Sequence, residues 1–222
     1  MNRERRLAGV GGIAFAVCLV IGFTFFGPKG GQYSADETAA FVAQGSTALI
    51  VSVYLVAVSV IGLIVLMAHL SETCFGAGRQ GRVAWGASLL AAASVLIGWG
   101  LYLALPTSVI SGGPAIDPAI GYTFINAGFV VLFGVGGVLL GIALLTLAIG
   151  GRAAQTWVRA FSLLAGLSAL FSWAFLIVSK WSPNQWLPVP FYLVVLWGFV
   201  LGVWLVVSSP TPDAPMGAVG PT

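Results

Sequence analysis

The chain has 222 residues, of which 59% are hydrophobic and only 7% are charged. A soluble domain carries about 25% charged residues, so a water-exposed fold is excluded and a lipid bilayer is the expected solvent. The net charge of +3 does not indicate a nucleic-acid partner, because the basic residues are scattered over short loops. One histidine and two cysteines fall short of the usual ligand sets, so we expect no metal and no cofactor.

Six apolar segments are long enough to cross a membrane, which takes about 20 residues for about 30 Å of hydrocarbon. They are residues 7–26, 47–70, 83–105, 122–149, 158–178 and 187–207. Their continuously apolar runs favour helices over barrel strands, which would alternate over about ten residues. The sequence therefore predicts an all-α, six-helix transmembrane bundle over residues 1–208, followed by a disordered cytoplasmic tail over residues 209–222.

Basic residues predict the orientation of these spans. Seven of the nine lie before span one, between spans two and three, or between spans four and five, whereas Lys29 and Lys180 lie on the opposite side. The seven are Arg3, Arg5, Arg6, Arg79, Arg82, Arg152 and Arg159. Because cytoplasmic loops collect Lys and Arg, we expect a multi-pass plasma-membrane (inner-membrane) protein with both termini in the cytoplasm.

The two larger outer loops differ in character. The first contains Ser34-Ala-Asp-Glu37, a capping-box pattern that predicts a short outer amphipathic helix at about residues 35–43. The second, residues 106–121, contains turn formers such as Asp117-Pro118 and is predicted to be irregular.

Spans three and five resemble each other. Residues 88–99 and 162–173 share seven of twelve positions at a constant offset, which indicates either an internal repeat or a chance match in low-complexity sequence. Small residues at helical spacing in spans three to six predict close helix contacts, which hold helices together in lipid. We therefore predict a bundle of three tightly packed, similar helical hairpins. The residues assigned to helix packing are Ala91, Ser94, Gly98, Gly137, Gly141, Ala165, Ser168, Ser172, Gly198 and Gly202.

Few residues in the spans are of types that carry chemistry. No span holds a pair of carboxylates, and the single histidine, His69, lies at the inner end of span two with no partner in sequence. No catalytic residue is assigned. One cluster near the outer leaflet is interpreted either as the lining of a small apolar pocket with one amide or as an aromatic belt. It consists of Trp99, Tyr102, Asn126 and Trp173.

Three stretches carry a resemblance to a known family. They are Tyr33-Ser-Ala-Asp-Glu-Thr-Ala-Ala-Phe-Val-Ala43, the apolar run from Leu49 to Leu70, and Gly81-Arg-Val-Ala84. In these the chain resembles a family of small six-helix integral membrane proteins of unknown function, common in actinobacteria. The resemblance implies the six-span topology and no catalytic residue.

Three hypotheses about function remain. The lack of buried charge and the small-residue faces favour a non-enzymatic membrane module that binds a lipid, a membrane-protein partner or a second copy of the chain. The alternative is a small transporter or channel for an uncharged or apolar solute, and an enzyme acting on lipid is the third. Span four discriminates between the first two: a helix unwound at its glycines, Gly134, Gly136, Gly137 and Gly141, would favour transport, and an unbroken helix with Gly137 against a neighbour would favour the module.

Overall fold

The computed structural model describes residues 2–23, 46–75, 78–110, 117–151, 154–178 and 189–208, and all regular structure within them is helical. The helices are α1 (Asn2–Ile21), α2 (Ser46–Phe75), α3 (Arg79–Ile110), α4 (Pro118–Phe129), α5 (Gly136–Gly150), α6 (Thr156–Val178) and α7 (Val189–Val207). A π-helical turn, Val130–Val135, joins α4 to α5. The predicted outer helix over 35–43 and the tail over 209–222 lie outside the described residues.

Three helical stretches are long and apolar enough to cross a membrane. They are Ile50–Phe75, Arg79–Leu101 and the continuous Ala119–Gly150. The described apolar parts of α6 and α7, Thr156–Ser172 and Phe191–Val207, are shorter. These stretches indicate a membrane protein and confirm the all-helical prediction for the described residues.

The helices form a closed ring in chain order. Each packs on the one before it, with α4, the π-helical turn and α5 acting as one member, and α7 returns to α1. The first turns of α1, α3 and α6 carry every arginine of the described residues. These turns meet the last turns of the other helices: the Arg5 guanidinium lies 5.1 Å from the ring centroid of Trp204 on α7, and Arg159 Nε donates to the carbonyl oxygen of Ala148 on α5 at 2.9 Å. We call this end of the ring the arginine end.

Several small side chains are buried inside the ring, and many large apolar ones are exposed on its outside. Ala91 and Ala165 are 1% and 0% exposed, whereas Ile61, Ile149 and Phe171 are 61%, 70% and 63% exposed. In water, an apolar surface of this extent would drive association. In lipid it costs little, because the hydrocarbon tails are as apolar as the side chains.

The second predicted outer loop is shorter than the sequence suggested. Helix α3 continues through Pro106 to Ile110, and α4 begins at Pro118. Asp117 is the N-cap of α4, since its Oδ1 accepts from the amide of Ala119 at 2.8 Å. The Asp-Pro pair is therefore a helix start, because proline at the first helical position has no amide to leave unpaired. The prediction of an irregular loop is wrong at both edges.

Candidate functional site

All ten residues assigned to helix packing are buried: Ala91, Ser94, Gly98, Gly137, Gly141, Ala165, Ser168, Ser172, Gly198 and Gly202. Two of them, at equivalent positions of the sequence repeat, contact the fourth span. A Cβ on Gly98 would lie 2.6 Å from the carbonyl oxygen of Gly128 on α4. Ser172 Oγ donates to the carbonyl oxygen of Ala169 in its own helix at 2.6 Å and lies 3.4 Å from the carbonyl oxygen of Phe133, and a Cβ on Gly137 would lie 2.7 Å from that Oγ. Helices α3 and α6 thus hold the fourth span between them.

The first and last helices meet through four glycines. A Cβ on Gly12 would lie 2.7 Å from the carbonyl oxygen of Gly198, and a Cβ on Gly202 would lie 2.6 Å from that of Gly9. We call these four residues the glycine seam. Because each of these contacts is made to backbone, the seam closes the ring at a helix separation that only glycine permits.

The structure describes two of the four side chains that were predicted to line an outer pocket. Trp99 is only 3% exposed, and its ring centroid lies 4.5 Å from that of Phe23, just after the end of α1. Asn126 is exposed. Tyr102 and Trp173 lie on α3 and α6, and their side chains are outside the described part of the structure. Trp99 is therefore a core residue, and the pocket stays a prediction.

Trp99 belongs to an aromatic cluster that the sequence did not reveal. Phe133, on the π-helical turn, lies 5.8 Å from Phe23, 5.9 Å from Phe129 and 5.4 Å from Phe191 between ring centroids. Such ring pairs contribute about 0.5–1.5 kcal/mol each beyond the area they bury. Phe129 and Phe133 are four residues apart on one span, whereas Phe23, Trp99 and Phe191 come from segments far apart in the sequence, so no local pattern could have added them.

A small cavity lies inside the ring beside this cluster. Its volume is about 20 Å³, which leaves room for about one water molecule. Its lining is entirely apolar: Phe15, Leu19, Phe23, Val60, Leu63, Ala91, Val95, Leu132, Gly136, Leu140 and Phe191. Within the described residues, the buried polar side chains are all serines. Among the described residues, the buried polar side chains carry no formal charge, and this interior cavity is apolar.

A larger depression opens on the outside of the ring, between α3 and α5 at the arginine end. Its volume is about 540 Å³. We call it the α3/α5 groove, and its lining residues are Arg79, Gln80, Val83, Ile142, Leu145, Thr146, Ile149 and Gly150. It runs along roughly 12 Å of α5, at about 1.5 Å per residue.

The wall of the groove is apolar and accessible from the bilayer. Ile142, Leu145, Thr146 and Ile149 follow one another at the i, i+3, i+4 and i+7 spacing of a single helical face. The hydroxyl of Thr146 donates to the carbonyl oxygen of Ile142 at 2.8 Å, so its own helix satisfies it. Val83 on α3 is exposed opposite them. The wall therefore has no polar group that needs a hydrogen bond from an occupant.

The rim of the groove is cationic. Arg79 begins α3, lines the groove and is exposed; Arg82 is also exposed one turn further along α3 but does not line the groove. The Gln80 carboxamide packs against Gly150, where a side chain would have no room. None of the lining residues is acidic. From the sequence alone, these arginines predict only the orientation in the membrane. Their position beside an apolar wall could not be seen, because the residues of that wall lie some sixty positions further along the chain.

In the described residues, the fold and these surfaces together indicate a helical membrane protein with an apolar core and a cationic groove on its outer face. Within the described ranges, no group of three or more His, Cys, Asp or Glu side chains is placed to hold a metal ion. No family model matches the chain, and comparisons with curated proteins and with solved structures found no match either. The resemblance to the actinobacterial family therefore stays a prediction.

Proposed function

We propose that this chain is a six-span plasma-membrane module, with both termini in the cytoplasm, that binds a lipid or a membrane-protein partner through its outer surface and has no catalytic role. The ring supports six crossings, because its six members are apolar on the outside and their ends alternate at the arginine end. The grouping of arginines at one end supports the orientation, since cytoplasmic segments collect basic residues.

The same proposal includes three hairpins and a short outer helix over residues 35–43. The hairpins would be α1 with α2, α3 with the fourth span, and α6 with α7, and the two helices of each pair pack side by side. Gly98 and Ser172, at equivalent positions of the repeat, both contact the fourth span, which supports a repeated unit. The resemblance to small six-helix membrane proteins of unknown function agrees with this arrangement.

The packed interior is the observation that favours a binding module over a transporter. Transporters place charged or polar groups near the midplane and often break a helix there. The cavity inside this ring is apolar and measures about 20 Å³. A solute that crossed would have to open the aromatic cluster and separate the helices around it.

The fourth span also favours the module. Val135 (φ −69°, ψ −49°) and Gly136 (φ −62°, ψ −41°) keep helical angles across the junction with α5. A Cβ on Gly137 would lie 3.2 Å from the carbonyl oxygen of Ala169. The helix is widened by the π-helical turn but is not unwound, and Gly137 lies against a neighbouring helix. This is the arrangement that the sequence analysis assigned to a module.

Solute flux tests the choice between module and transporter. The full chain would be reconstituted into liposomes, and glycerol and urea permeability measured by stopped-flow light scattering against protein-free liposomes of the same lipid and size. We expect equal rates at all protein-to-lipid ratios. A solute-selective rate that rises in proportion to the protein would overturn the module in favour of a transporter or channel.

A further inference from the structure

Charge is distributed unevenly around the arginine end. Glu4 and Glu72 lie on α1 and α2, close enough to His69 to act on it electrostatically. The α3/α5 groove, in contrast, has Arg79 at its rim and no acidic lining residue. Arg3, Arg5 and Arg6 on α1 offset these carboxylates, so an anionic group meets mixed charges on the α1–α2 side and no acidic lining residue at the groove.

We propose that the α3/α5 groove binds one anionic phospholipid of the cytoplasmic leaflet, with the headgroup phosphate at Arg79 and an acyl chain along the α5 wall. The proposal rests on the proposed function and names the ligand class of that module. Guanidinium groups bind phosphate oxygens in a bidentate manner, and the cytoplasmic leaflet carries the anionic lipids. The Gln80 carboxamide adds a neutral hydrogen-bond donor at the same end.

The size of the groove favours a lipid over a protein helix. Its volume of about 540 Å³ lies within the roughly 300–1,000 Å³ typical of small-ligand sites. It is lined by eight residues, whereas a stable protein interface uses about 20–30 residues on each side. An open apolar wall beneath a cationic rim matches the two chemical parts of a phospholipid.

Native mass spectrometry of the full chain in mild detergent tests this site. The probes are dioleoylphosphatidylglycerol and dioleoylphosphatidylcholine, which share acyl chains and differ in headgroup charge. Arg79→Gln should weaken phosphatidylglycerol binding by about fivefold, the size expected for one basic residue near a membrane surface, and weaken phosphatidylcholine binding less, because the choline cation offsets the charge of its phosphate. Arg6→Gln is the matched control, because Arg6 is also exposed but lies on α1.

A second variant tests the wall independently of charge. Ile142 lines the groove, so Ile142→Trp should fill it and reduce the retention of both lipids at least fivefold. The control is Ile61→Trp, because Ile61 is exposed on α2, which does not line the groove. We expect this control to bind both lipids as the unmodified chain does.

The other outcomes overturn the site in distinguishable ways. If phosphatidylglycerol binds but both arginine variants weaken it equally, attraction is general to the arginine end and the groove is not the site, while the lipid-binding module stands. If the unmodified chain retains neither lipid, lipid binding by the module fails together with the site. If a dimer mass appears that Ile142→Trp abolishes and Ile61→Trp does not, the groove belongs to a second copy of the chain.

Discussion

At the scale of single residues, several buried hydroxyls of the described residues are bonded within their own helix. Ser88 and Ser94 donate to the carbonyl oxygens of Ala84 and Leu90, each four residues earlier, at 2.7 and 2.9 Å. These serines therefore act as small packing residues whose polar group is already satisfied. Their small size can be read from the sequence, because it is a local property.

A buried hydrogen bond between two side chains joins α7 to α6. Trp197 Nε1 on α7 donates to Ser162 Oγ on α6 at 2.9 Å, and both side chains are fully buried. Nothing in the sequence paired them, since the contact depends on how α6 and α7 lie against each other. It is the best position for measuring what a polar contact contributes within this ring.

Ser162→Ala should lower the free energy of unfolding by about 1 kcal/mol, because it removes the acceptor of the buried Trp197 Nε1–H. Ser59→Ala is the matched control: Ser59 is also buried, and its hydroxyl has no hydrogen-bond partner within the described residues. Its removal should leave stability unchanged or raise it. Unfolding by dodecyl sulfate in bicelles measures both, and equal losses in the two variants would contradict the assignment.

At the scale of helices, the glycine seam is the place where the first and last helices approach each other closely. It brings α1 and α7, the first and last helices, into backbone contact. Without a hydrophobic drive between helices in lipid, such contact and the dispersion energy it allows stabilise the pair. The seam is continued at the arginine end by Arg5, which lies over the ring of Trp204.

Gly202→Ala should lower the free energy of unfolding by about 1–3 kcal/mol, the usual cost of overpacking. The new Cβ would lie 2.6 Å from the carbonyl oxygen of Gly9 and 2.7 Å from the amide nitrogen of Ile13, and neither backbone atom can move without separating α1 from α7. Gly100→Ala is the control, because nothing lies within 4 Å of its Cβ position.

The same dodecyl sulfate unfolding measures this pair of glycine variants. Gly100→Ala should leave stability unchanged or raise it by up to about 1 kcal/mol, since alanine favours helix over glycine. If Gly202→Ala were as stable as Gly100→Ala, the seam would not be holding the ring closed.

The helices also show where local patterns misled. Hydropathy placed the ends of most spans within a few residues of the observed helices, because long apolar runs are a strong signal. Asp117-Pro118 was interpreted as a turn, although the same two residues form an N-cap and a first helical position. Both interpretations use the same residue chemistry, and the sequence that follows decides between them.

At the scale of the whole molecule, the arginines of the described residues lie at one end of the ring. Their position predicts which side of the membrane this end faces. Cys74 lies near it at the end of α2, with its Cβ 3.5 Å from where a Cβ on Gly151 would be. If the arginine end is cytoplasmic, a reagent confined to the outside of the cell will not reach this thiol.

In a Cys18→Ser background, a membrane-impermeant maleimide should label Cys74 in inside-out vesicles but not in intact cells. A cysteine-free chain carrying Ser182→Cys, in the loop that the sequence places outside, is the control and should show the opposite pattern. Gel shift with a polyethylene-glycol maleimide measures both. Labelling of Cys74 in intact cells would reverse the proposed orientation.

The sequence by itself determined the solvent, the helical class, the apolar segments and the positions of small residues, because each follows from composition or from spacing within one helix. The tertiary structure alone decided which helices are neighbours. It closed α1 onto α7 through glycines, moved Trp99 from a predicted pocket wall into an aromatic core, and brought Arg79 beside an apolar face of α5. These contacts join residues tens to nearly two hundred positions apart, and no periodicity within a single helix encodes which partner it will meet.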